Sequence, residues 1–79
     1  METVILSEKI QVERKQFFFD LKENPRGRFL KITEDVGGRR DTIIVPSTGL
    51  EQFRDMLGKA IAAGEALQQQ PVEAGSAAG

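Results

Sequence analysis

The chain has 79 residues, a formal net charge of −1, and neither cysteine nor histidine. Disulfides, thiolate or imidazole metal sites and the commonest general base are thereby excluded. A single core of this size usually needs outside support, and a partner subunit is the remaining common remedy. No apolar run approaches the ~20 residues of a membrane span, and the stretch from Met1 to Leu6 lacks the layout of a secretory leader. The expectation is a cytoplasmic protein with no membrane partner.

The first 46 residues read as strands. Val4, Leu6, Ile10 and Val12 occupy even positions, with Glu8 interrupting, whereas Phe17, Phe19 and Leu21 occupy odd ones. The change of parity predicts a turn or bulge near Glu13-Arg14-Lys15. Asn24-Pro25-Arg26-Gly27 is a turn signal, after which Leu30 and Ile32 alternate with Phe29, Lys31 and Thr33. Gly37-Gly38 marks a further turn, and the β-branched run through Ile43, Ile44 and Val45 stops at Pro46. Four antiparallel strands in a meander follow from this order.

The period then changes. Thr48 and Glu51 have the spacing of a capping box, and Leu50, Phe53, Leu57, Ala60 and Ile61 make one apolar helix face. Gly58 weakens that helix by about 1 kcal/mol relative to alanine without breaking its pattern. An end between Gly64 and Gln70 is expected, followed by a disordered tail from Pro71 to Gly79. The fold class is therefore α+β: a four-stranded antiparallel sheet followed by one helix (ββββα), with residues 1–64 as the folded unit and 65–79 as helix end and tail. One helix covers one face of such a sheet. The open face and the two unpaired edges favour self-association.

Charge is uneven along the chain. Residues 9–40 carry nine basic against five acidic side chains, a net of +4, whereas residues 47–79 carry a net of −2. Alternation directs Phe17, Phe19 and Leu21 toward the helix, hence Phe18 and Lys22 away from it. Likewise Leu30 and Ile32 face inward, and Phe29 and Lys31 outward. Asn24 and Arg26 stand at the rim of this open face. Aromatic rings stack on unpaired bases for about 1–3 kcal/mol each, and cations track phosphates. The same residues admit plainer readings. The two phenylalanines suit a surface covered by a partner, the lysines suit solvated strand positions, and Asn24 suits the start of a turn. Arg26 and Arg28 can also pair with Glu23 and Glu34.

No enzyme is expected, and no small-molecule substrate or cofactor. Asp20 and Lys22 have no companion nucleophile, and none of the serines has a histidine to activate it. Gly37-Gly38 is not followed by the Gly-Lys-Ser/Thr of a phosphate loop. A protein-interaction module that uses the open sheet for a protein partner is the alternative to nucleic-acid binding.

The run from Phe17 to Ile32, with its core Lys22-Glu23-Asn24-Pro25-Arg26-Gly27-Arg28-Phe29, resembles the PUR repeat of the Pur-alpha family. Glu51-Gln52-Phe53-Arg54-Asp55 and the residues around it are similar to that family's helix motif, and the likeness spans roughly residues 4–64. The resemblance implies two repeats intertwined in a Whirly-like homodimer, with each helix packing against the partner repeat. It also implies binding of single-stranded, purine-rich DNA or RNA, local duplex unwinding, a regulatory role, and a bacterial cytosol or nucleoid location for a single-repeat member. By position it implies Lys22, Asn24, Arg26 and Phe29 as the principal contacts; Phe18 and Lys31 on the open face and Arg14 in the turn before the second strand are added as auxiliaries. Two departures stand out. Glu13-Arg14 replaces the Gln-Ser often seen before the second strand, and Phe18 replaces a tyrosine.

Overall fold

The computed structural model describes residues 1–68. Four strands, β1 (Thr3–Val12), β2 (Lys15–Asn24), β3 (Gly27–Val36) and β4 (Arg39–Pro46), form one antiparallel sheet in the order of the chain. A short 3₁₀ turn over Ser47–Gly49 leads into helix α1 (Leu50–Leu67). The meander follows from its turns. Gly37 and Gly38 adopt φ of 61° and 93°, the doubly left-handed backbone of a tight two-residue hairpin. Asn24 Oδ1 accepts from the backbone N–H groups of Arg26 (2.8 Å) and Gly27 (3.2 Å), which closes the β2–β3 turn. Glu13 holds the left-handed position between β1 and β2 with φ of 56°, where a non-glycine residue is strained by about 1–2 kcal/mol.

Register divides the sheet into two faces. On the helix side, Leu6, Leu21, Leu30 and Val45 lie in one row, and Glu8, Phe19, Ile32 and Ile43 in the next. Phe17, Phe19 and Leu21 therefore share the helix-facing side, as their alternation predicts. The β1 pattern is not continuous: a bulge between Val4 and Leu6 sets Val4 opposite Lys22 and Leu6 opposite Leu21. Val4 thus falls on the opposite face from the other even-numbered apolar residues, because one extra residue reverses the alternation.

Two further expectations are corrected. Thr48 does not cap α1; it lies within the 3₁₀ turn, Gly49 stands at the N-cap, and no side chain caps either element. The fixed φ of Pro46 starts a tight turn one residue before the anticipated cap. The helix also does not cover its own sheet. It approaches near its beginning and leaves an open groove of about 440 Å³ between Phe19, Leu30 and Ile32 on the sheet and Leu50, Phe53, Leu57 and Ile61 on the helix. Phe53, Leu57 and Ile61 remain 46%, 62% and 61% exposed. Among the described residues, Val45 is the buried hydrophobic side chain and Thr33 the buried polar one.

The helix ends at Leu67, inside the expected range, and Gly58 leaves it unbroken. The tail from Pro71 lies outside the described residues. Among those residues, no helix is long and apolar enough to cross a membrane.

Candidate nucleic-acid interface

The face turned away from α1 carries its side chains in four ordered rows. Val4, Lys22, Phe29 and Pro46 form the first; Ser7, Asp20, Lys31 and Ile44 the second. Lys9, Phe18, Thr33 and Thr42 form the third; Gln11, Gln16, Asp35 and Arg40 the fourth. A rigid sheet thus presents two phenylalanines on adjacent strands, interleaved with lysines and an arginine. Phe18 and Phe29 are both half-buried.

The residues singled out by sequence do not all meet. Asn24, Arg26 and Phe29 line one open depression of about 640 Å³ at the β2–β3 end of the sheet, together with Glu2, Ile44 and Pro46. Lys22 pairs directly with Phe29 across the strands and belongs to the same corner. Lys31 and Phe18 continue along the face, one and two rows away. Arg14 stands apart. It occupies the β1–β2 turn beside Val36 and Gly37, just before the far end of β2, ten residues or about 33 Å along the chain from Asn24.

Hydrogen bonds refine what each group can offer. The carbonyl oxygen of Asn24 is used by its own turn, so its carboxamide NH₂ is the part left for a ligand. Arg28 is bound to Glu23 through Nε and Nη2 (3.3 and 3.2 Å), whereas Glu34 pairs with Lys15 (3.0 Å). Of the pairings anticipated across the hairpin, Arg28 with Glu23 forms and Glu34 takes a different partner. Ser7 donates to Asp20, and the hydroxyls of Thr33 and Thr42 lie 3.4 Å apart in the middle of the face.

Three residues that sequence reasoning did not select take part. Glu2, just before β1, reaches to the neighbouring β2 and pairs with Lys22 at 3.6 Å, which places a carboxylate inside the corner depression. Lys9 and Arg40 stand over the Phe18 ring, at 5.8 and 5.3 Å from its centroid. The alternation signals Lys9, since it shares parity with Ser7 on the open side. Arg40 follows only once the two-glycine turn fixes the β3–β4 register.

Comparison with known proteins identifies the family. The model of the family described as PurA ssDNA and RNA-binding protein matches residues 1–76. Transcription factor Pur-alpha 1 of Arabidopsis thaliana is 58% identical over 52 residues, covering 66% of this chain and 18% of the plant protein. Transcriptional activator protein Pur-alpha of Mus musculus is 38% identical over 55 residues, and transcriptional regulator protein Pur-beta of Homo sapiens 36% over 55. Each alignment covers 68% of this chain; it spans 17% of the mouse protein and 18% of the human one. A single ββββα unit thus corresponds to less than a fifth of each of these relatives. With its motif and its sheet both in place, the chain belongs to the PurA family of single-stranded DNA- and RNA-binding proteins.

Proposed function

We propose that this chain binds single-stranded, purine-rich nucleic acid on the open face of its sheet and acts as a homodimeric regulator rather than an enzyme. The observation that carries the reading is the corner where Lys22, Asn24, Arg26 and Phe29 converge. A ring for stacking, a carboxamide donor and two cations meet there on a rigid support. Bases unstacked onto Phe29 and Phe18 leave their phosphates to Lys22, Lys31 and Arg26, with Arg14 available to a strand that runs the length of the sheet. A ring inserted between bases also favours strand separation, because the base it contacts gives up its duplex stacking partner. We place this role in the cytosol or nucleoid.

The homodimer rests on a separate observation. The apolar face of α1 and the apolar face of the sheet are both left open along one groove, and Phe53, Leu57 and Ile61 stay exposed on the single chain. A second copy that lays its helix into the groove, and receives this helix in return, covers both surfaces by one symmetric contact.

The test is a competition between a purine-rich single strand, its complementary single strand and their duplex. Preference for the purine-rich strand supports the reading, and equal or stronger binding of the duplex overturns it. Glu2 supplies a second expectation at the same corner. Its carboxylate occupies a place suited to phosphate, so Glu2→Gln should tighten single-strand binding by about 2- to 5-fold, the worth of an exposed ion pair. Fluorescence anisotropy reads the change, and the gain should vanish in a Lys22→Ala background.

A further inference from the structure

The third and fourth rows of the open face hold a second feature, remote from the Lys22–Phe29 corner. Arg40 is braced from two sides: its guanidinium stands 5.3 Å from the Phe18 ring centroid, and its Nε donates to Asp35 Oδ2 at 2.9 Å. Asp35 is itself fixed, because its other oxygen accepts the backbone N–H of Gly38 at 3.1 Å. That carboxylate is only 17% exposed, while the Arg40 side chain is 61% exposed. Among the described residues, the terminal nitrogens of Arg40 make no hydrogen bond. A planar fork is thus anchored by its inner nitrogen, with its outer donors left for a ligand.

Within a nucleic acid, two groups accept such a fork: a phosphate and the O6/N7 edge of a guanine. The surroundings favour the base. Asp35 compensates the charge of Arg40 and repels a phosphate brought to the same point, whereas hydrogen bonding to a neutral base needs no net charge. Phe18 adds an aromatic surface beside the fork, and Lys9, 5.8 Å from the same ring, supplies an uncompensated cation for the adjoining phosphate. We propose that Arg40, held over Phe18 and braced by Asp35, reads the Hoogsteen edge of a guanine in the bound strand. This subsite rests on the single-strand-binding reading above and assigns the purine preference to a particular side chain.

The experiment replaces guanine by 7-deazaguanine, which removes the N7 acceptor and keeps the pairing edge and the charge. Anisotropy titrations compare a short guanine-containing single strand with its 7-deaza counterpart, for wild type and for Arg40→Lys. Lysine keeps the positive charge and loses the fork. Wild type should bind the natural strand roughly tenfold more tightly than the substituted one, as expected for loss of a bidentate base contact. Arg40→Lys should bind both strands alike, with the salt dependence of the wild type and an unchanged circular dichroism spectrum. Equal binding of the two strands by wild type, or retained discrimination in Arg40→Lys, overturns the guanine subsite while leaving single-strand binding intact. Failure of wild type to bind either strand overturns the underlying reading as well.

Discussion

Leu57→Asp should leave a largely unfolded or aggregating chain at micromolar concentration, where the wild type is expected to form the proposed dimer. Leu57 is 62% exposed on a single chain, so a monomeric protein would tolerate aspartate there with little change. In the proposed dimer, Leu57 sits in the groove with Phe53, Ile61, Phe19 and Ile32, and an ionised carboxylate would lose its hydration without gaining a partner. Weakening of the dimer by at least ~100-fold is expected from burying an unpaired charge. Sedimentation velocity reads the assembly state. Thermal melting over a range of protein concentrations reads the coupling, since a fold that depends on its partner melts at higher temperature when more concentrated. Wild type that sediments as a monomer, or a Leu57→Asp protein whose assembly state and melting match those of the wild type, would remove the dimer from the account.

Phe29→Ala should weaken single-strand binding by about 5- to 150-fold, in keeping with about 1–3 kcal/mol for one base–aromatic stack. Its partner across the strands, Lys22, supplies charge at the same corner, so Phe29→Ala/Lys22→Ala should abolish measurable binding at physiological salt. Both residues are half-buried on the face away from α1, and their removal should leave secondary structure and dimer mass unchanged. Phe17→Ala is the contrasting substitution. It removes an aromatic from the helix-facing side and should cost stability while sparing intrinsic affinity in the folded fraction. Anisotropy beside circular dichroism separates the two effects.

The strands and their faces were legible because side-chain alternation has a period of two and the turns carry Asn-Pro and Gly-Gly. Phe18, Lys22, Phe29 and Lys31 could therefore be assigned to one surface from parity alone. Val4 could not, since the bulge that reverses it leaves no glycine or proline as a mark. The Thr48–Glu51 spacing suggested a cap, but Pro46 starts a 3₁₀ turn that absorbs Thr48 before the helix begins. An apolar helix stripe shows that the helix must be covered; it does not say whose sheet covers it, and here the chain's own sheet leaves the stripe open.

The candidate interface was legible where residues are adjacent in sequence, as Lys22, Asn24, Arg26 and Phe29 are around one hairpin. It was hidden where strands bring distant residues together. Glu2 meets Lys22, and Lys9 and Arg40 meet Phe18, only through the registers of three strand pairs. Arg14 shows the converse. Sequence reasoning grouped it with the others, whereas its turn lies at the far end of β2.

The most direct test of the central claim is the salt dependence of single-strand binding by the wild-type protein. Anisotropy of a labelled purine-rich strand, titrated at several salt concentrations, yields the slope of log affinity against log salt. Neutralisation of three or four phosphates by Lys22, Lys31, Arg26 and Lys9 predicts a slope of about −2 to −3, at about −0.7 per phosphate on a single strand. Binding with that slope, lost in Phe29→Ala/Lys22→Ala, is the predicted result. Absence of binding at low salt, or binding that ignores both salt and those two side chains, would contradict the account and make a protein partner the ligand of the open sheet.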